Sequence, residues 1–144
     1  FVPIQEYQID YYKNRFLKYI NPGFIKCVAD ENDELVAFAI TMPSFSNALK
    51  KINGKVDLIG KLRLLYAKNF NSKGSLYLIG VRPDFQNKGV IAILFNELQK
   101  FYNKFGITEV ETNPELIENT AIQQLWKNYE NNQHKNRATF TKQI

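Results

Sequence analysis

The sequence predicts an α/β domain: a mixed, mostly antiparallel sheet with a central βαβ unit and flanking helices. Three observations carry this. Two β-rich runs, at 24–29 and 35–40, flank the polar turn Asp30-Glu31-Asn32-Asp33-Glu34, which is the pattern of an antiparallel hairpin. An apolar run at 75–81, an amphipathic stretch at 89–102 and a β-rich run at 107–112 follow one another. Together they fill about 38 residues, the length of a βαβ unit with a right-handed crossover. Other stretches place apolar residues three and four apart and supply helices to cover the sheet.

In chain order, Ile4, Tyr7, Tyr11, Tyr12, Phe16, Leu17 and Tyr19 recur at helical spacing from about Pro3 to Ile20, and Asn21-Pro22-Gly23 stops that helix. The tyrosines would suit a base-stacking surface, but aromatic stripes at this spacing are expected to pack as core. Cys27 lies inside the first strand and no neighbouring cation or His suggests its activation, so a buried, inert thiol is expected. Pro43 ends the hairpin. Two helices are expected next, at about 46–52 and 58–67. The second carries Leu58, Ile59, Leu62, Leu65 and Tyr66 along one side and Lys61, Arg63 and Lys68 elsewhere. A membrane-surface helix has such a pattern; the expectation here is a helix packed on its own domain. The near-continuous apolar run 75–81 predicts a strand buried on both faces, with Gly80 marking a bulge or a close approach. In the helix after it, Val90, Ile93, Leu94, Leu98 and Phe101 share a face, and Gly106 closes it. Pro114 ends the strand 107–112. A last helix is expected at 120–129, capped by Asn119, with Ile122, Leu125, Trp126 and Tyr129 inward. Residues 137–142 alternate like an edge strand.

The chain has 144 residues, 44% of them hydrophobic and 23% charged. That is too apolar for a disordered tail and suits one domain, taken as residues 1–144. No apolar run approaches the roughly 20 residues of a membrane span. One cysteine excludes a disulfide framework and any multi-cysteine metal site, and no metal is expected. The chain begins at Phe1 without a signal-peptide pattern, so it reads as the C-terminal part of a longer cytoplasmic protein. The net charge is +5, and one segment, residues 44–75, supplies it: Lys50, Lys51, Lys55, Lys61, Arg63, Lys68 and Lys73 stand against Asp57 alone. Such a segment attracts anionic partners. A nucleic-acid reading finds no recognised motif and few interleaved aromatics beyond Tyr66 and Phe70.

The chemistry-bearing stretch is Val81-Arg82-Pro83-Asp84-Phe85-Gln86-Asn87-Lys88-Gly89-Val90. It joins a strand end to a helix start, where N–H groups from Gln86 to Val90 lack intrahelical acceptors. With the helix dipole they form a site for phosphate or pyrophosphate. Gly89 keeps the approach open and Lys88 adds charge. The stretch is neither a Walker loop nor a dinucleotide-binding glycine turn.

These residues resemble the acetyl-CoA-binding motif of the GCN5-related N-acetyltransferase (GNAT) family, V-x-P-x-x-[QR]-x-x-G-x-[GA]. Val81, Pro83, Gln86 and Gly89 match, and Ile91 stands where Gly or Ala is usual. Asn119, Leu125 and the last helix resemble the family's N-x-x-A-x-x-L-Y segment, with Ile122 for Ala and Trp126 for Tyr. The resemblance spans about residues 24–144 and implies an N-acyltransferase with acetyl-CoA as cosubstrate. The backbone of Ile79, Gly80 and Val81 would hold the pantetheine and the developing oxyanion. Gln86, Asn87, Lys88, Gly89 and Val90 would hold the pyrophosphate, and Asn119 would also face the cofactor. The acceptor would be a small-molecule or peptide amine, deprotonated by Glu111 or Glu115. An acidic rim of Glu109, Glu111, Glu115 and Glu118 would favour a cationic amine. Trp126 cannot protonate the leaving thiolate as the family's Tyr does, and Tyr129, one turn on, is the alternative donor. The basic helical segment 44–75 replaces a short hairpin and stands as an insertion. A non-catalytic CoA- or partner-binding module remains the competing reading, and His134 is expected to be solvated.

Overall fold

The computed structural model describes residues 4–15, 21–53 and 57–142. Main-chain proximity divides the chain into two compact units, Phe1–Thr112 and Asn113–Ile144.

The first unit begins with helix α1 (Glu6–Arg15). A single 3-10 turn, Pro22–Phe24, then leads into strand β1 (Ile25–Ala29). The Asn21 side chain caps that turn by accepting the Gly23 N–H at 2.9 Å. Strand β2 (Leu35–Pro43), helices α2 (Ser46–Ile52) and α3 (Leu58–Asn69), strand β3 (Lys73–Val81), helix α4 (Val90–Phe105) and strand β4 (Glu109–Thr112) follow. The sheet order is β1-β2-β3-β4. The first two pairings are antiparallel and β3–β4 is parallel, with α4 as the connection. This is the mixed α/β architecture that the sequence predicts, hairpin and βαβ unit included.

Helix α4 packs across β1 and β2. Its four-residue rhythm of Val90, Leu94, Leu98 and Tyr102 turns inward, whereas Ile93 faces out. The predicted inward stripe holds at Val90, Leu94 and Leu98, with Phe101 half-buried; Ile93 is the exception and Tyr102 the addition. Leu94 and Leu98 are almost fully buried, as are Val36, Ala37 and Ala39 of β2 and Leu76 of β3, and Val90 packs with Val36 and Ala37. At the helix's other end Phe24 stands edge-on to Phe101, ring centres 4.8 Å apart, and also touches Phe105.

The structure corrects several expectations. Tyr7, Tyr11 and Tyr12 of α1 are exposed rather than core; Phe16, Leu17 and Tyr19 lie outside the described residues. The apolar side of α3 is exposed as well, and Gly60 is the buried residue of that helix. Cys27 is exposed, because its place in β1 turns it away from α4. Strand β3 is not buried on both faces, since Tyr77 and Leu78 are open. Residues 137–142 form no strand; a lone alternating segment has no ladder to satisfy its backbone. In the second unit α5 covers Thr120–Trp126 and leaves Tyr129 exposed beyond its end. The Asn119 cap is present: its side chain accepts the Ile122 N–H at 3.5 Å.

Candidate active site at the end of strand β3

Strand β3 changes partners halfway along. Its parallel ladder with β4 ends at the pair Leu76–Thr112. At the same point its register with β2 slips: Thr41 faces Leu76 and Ile40 faces Leu78, which leaves Tyr77 as an additional residue. The bulge is therefore at Tyr77 and not at Gly80. A bulge sharpens local twist and bends its strand, so beyond Leu76 the chain leaves β4 while it stays paired with β2.

Ladder geometry then says which backbone groups are open. Arg82 N–H donates to the Val36 carbonyl at 2.8 Å, and antiparallel pairs alternate between bonded and non-bonded. Phe38 and Gly80 consequently form a bonded pair. Ile79 and Val81 direct their N–H and C=O groups to the other side, where the β4 ladder has ended. Of the three residues singled out in the sequence, Ile79 and Val81 present backbone and Gly80 does not. The Val81 carbonyl lies 3.5 Å from the Gln86 side-chain amide. Gly80 has a structural reason of its own, because a Cβ there would stand 2.6 Å from the Phe38 ring.

After Val81 the chain makes a 3-10 turn, Pro83–Phe85, in which the Gln86 N–H donates to the Pro83 carbonyl. That donor is used, so the predicted cradle begins one residue later. Asn87 (φ 61°) and Gly89 (φ 77°) both adopt the left-handed region. No side chain caps α4. Among the described residues, the N–H groups of Asn87, Lys88, Gly89, Val90 and Ile91 find no protein acceptor. Alternating backbone hands bring successive N–H groups into one concavity suited to an anion, and the α4 dipole adds to it. Nothing would lie within 4 Å of a Cβ at Gly89, so its φ, and not crowding, demands glycine. Lys88 Nζ sits 5.1 Å from the centre of the Phe85 ring. The donor set fits a pyrophosphate, and the open Ile79–Val81 edge fits an amide-bearing arm.

Sequence reasoning missed the role of Arg82. Its guanidinium donates to Asp84 at 2.9 Å, to Glu34 at 3.1 Å and to Asp30 at 3.3 Å, and it lies 4.5 Å from the centre of the Phe85 ring. The motif is thereby clamped to the turn of the β1–β2 hairpin. Burial works upward on the Asp30 carboxyl, but the N–H groups of Asn32 and Glu34 together with Arg82 outweigh it and hold it below its ordinary value. The Arg82 hydrogen bond likewise lowers Asp84. The only advance signal was Asp84, two residues from Arg82 in the βα turn; Asp30 and Glu34 lie 52 and 48 residues away, with no way to know that they converge on it.

The acid–base candidates separate. Glu111 sits half-buried on β4 opposite Ser75. Glu115, Asn119 and Tyr129 belong to the second unit. There the Trp126 indole N–H donates to Glu115 at 2.7 Å, so this carboxylate already serves as an acceptor. Glu109 of the supposed acidic rim is ion-paired with Lys73. His134 is exposed in an irregular stretch.

Residues 2–129 match a family model described as the acetyltransferase (GNAT) family. No curated protein sequence matches the chain. An aminoglycoside antibiotic 6'-N-acetyltransferase from Acinetobacter haemolyticus is similar in structure, at 15% identity and TM-score 0.60 over 99% of this chain and 85% of that one. Another, from Acinetobacter baumannii, gives 14% identity and TM-score 0.58 over 99% and 97%. A third, solved with a CoA-linked bisubstrate analogue, gives 16% identity and TM-score 0.51 over 83% and 69%. At these identities the likeness is one of fold.

Proposed function

The chain belongs to the acetyltransferase (GNAT) family, and from that premise we propose that it moves an acetyl group from acetyl-CoA to a small amine by direct attack in a ternary complex. The observation that carries this reading is the coincidence at Leu76–Tyr77: the β4 ladder ends where the bulge begins, and open donors follow up to the uncapped start of α4. In this reading the N–H groups of Asn87 to Ile91, aided by Lys88, hold the pyrophosphate. The Ile79 and Val81 backbone pairs with the pantetheine amides. An N–H on the open edge then faces the thioester oxygen as charge develops on it.

Acetyl-CoA supplies the activated acyl group and a tolerable thiolate leaving group. The chain supplies position and a proton acceptor. Glu111, on the strand that leaves β3 at this point, is the base in this scheme. Glu115 is the weaker candidate, because an indole N–H already stabilises its charge. Tyr129 is the remaining candidate acid for the thiolate. The acceptor class is proposed as a cationic amine, in line with the aminoglycoside 6'-N-acetyltransferases named above.

Calorimetry with acetyl-CoA and release of free CoA across a panel of amines test this together. Saturable binding with CoA release supports it; no binding at millimolar acetyl-CoA refutes it. A second reading rests on Trp126, which cannot donate a proton usefully and ties up Glu115: a module that binds CoA without catalysis. Binding with silence across the whole panel selects that reading.

A further inference from the structure

Helix α3 is apolar on two sides. Gly60, Leu64 and Ala67 face the domain, buried or half-buried. Leu58, Ile59, Leu62, Leu65 and Tyr66 fall within an arc on the opposite side and are between 56% and 76% exposed. A helix apolar all round is one that is covered all round, yet among the described residues of its own unit nothing covers this stripe. Tyr66 extends it by stacking on exposed Phe70, ring centres 5.2 Å apart. Lys61 and Lys68 border the stripe on one side and Arg63 on the other, at helical spacing. Arg63 donates to the Lys51 carbonyl at 3.1 Å, which uses one N–H without neutralising its charge. None of these three cations has a carboxylate partner among the described ion pairs.

This basic excess does not serve the pyrophosphate site. The segment leaves the sheet at Pro43 and rejoins it at Lys73. The anion cradle starts beyond Val81, about 27 Å further along β3 at 3.3–3.4 Å per residue.

We propose that α3, with the lysines of α2, docks this domain on an anionic lipid surface. The stripe enters the headgroup boundary while Lys61, Lys68 and Arg63 reach the lipid phosphates from its margins. Charge decides against a second copy of the chain as the occupant, since two segments this basic would meet face to face. Aliphatic Leu and Ile, rather than interleaved rings, make up most of the stripe, and that favours acyl chains over stacked bases.

The test is sedimentation of the full chain with vesicles of phosphatidylcholine alone or with 30% phosphatidylserine. Binding is expected on the anionic vesicles, weakened but not abolished by 0.5 M salt, and little on the neutral ones. Leu62→Glu/Leu65→Glu is expected to lose at least about tenfold in partitioning, and Lys61→Glu/Lys68→Glu about as much, since each basic residue near such a surface contributes roughly fivefold. Both variants should keep the far-UV spectrum and acetyl-CoA binding of the parent, which separates a docking failure from a folding failure. Equal partitioning to both vesicle types, or none to either, overturns the proposal. So does a dimer in sedimentation velocity that Leu62→Glu/Leu65→Glu dissolves, or tighter binding to single-stranded RNA than to the anionic vesicles.

Discussion

The two ends of strand β3 handle charge and apolar surface in opposite ways. At the Val81 end the one guanidinium, Arg82, is saturated by Asp30, Glu34 and Asp84, and the apolar residues Val36, Ala37 and Val90 are buried beneath it. What stays open there is backbone. At the Lys73 end the sheet gives way to α2 and α3, whose cations have no carboxylate partner among the described ion pairs and whose Leu58, Ile59, Leu62 and Leu65 side chains stand in solvent. What stays open there is side chain. Backbone donors fixed by a turn recognise a compact anion in one orientation; exposed Leu and Lys recognise any surface of suitable composition. The first end therefore suits a cosubstrate and the second an extended, undemanding partner.

The same residue type shows the contrast most sharply. Leu94→Ala, at 1% exposure beneath the site, is expected to cost roughly 2–5 kcal/mol of stability, read by urea unfolding. A loss below 1 kcal/mol would mean that the end called packed is not. Next in size, Gly89→Glu adds a negative charge to the anion cradle and a side chain at φ 77°. Acetyl-CoA affinity should fall by about tenfold or more, while Gly89→Ala, which strains the backbone without adding charge, should cost roughly 1–2 kcal/mol of stability and less affinity. Equal affinity for parent and Gly89→Glu in calorimetry would remove the cradle.

The Arg82 clamp gives a pH signature. Asp30 and Asp84 are held below their ordinary values in the folded chain. Their contribution is thus complete above the ordinary carboxylate range near about 4 and is lost as pH falls through the lowered values. Melting temperature should drop as pH falls below the ordinary carboxylate range in the parent, and the drop should flatten in Arg82→Met. Parallel curves for the two proteins would show that the three carboxylates do not act through Arg82. The smallest effect belongs to the other end: Leu62→Ala should change stability by no more than about 0.5 kcal/mol. A cost near that of Leu94→Ala would mean that α3 is covered after all.

Much of the fold was legible because it is written in short-range pattern. The polar turn between two β-rich runs gave the hairpin, the bounds of α2 agree with its sequence reading, and Gly106 ends α4 as a left-handed cap. The phosphate loop was legible because strand end, glycine and helix start are contiguous. The acid–base residues were not, because Glu111 and Glu115 fall in different units and the use of Glu115 depends on Trp126, 11 residues away.

What the sequence by itself determined, then, is the element order and the place of the anion cradle, since both follow from periodicity and backbone conformation over a few residues. Only the tertiary structure decided which apolar faces are covered. Periodicity shows that α1 and α3 have an apolar side but not whether the sheet has room for it, and α4 already fills the face against β1 and β2. The same holds for the bulge at Tyr77, which exists only as a mismatch with β2, and for Arg82, whose partners Glu34 and Asp30 lie 48 and 52 residues away. Contacts that join distant segments depend on how the chain folds back, and no local pattern records that.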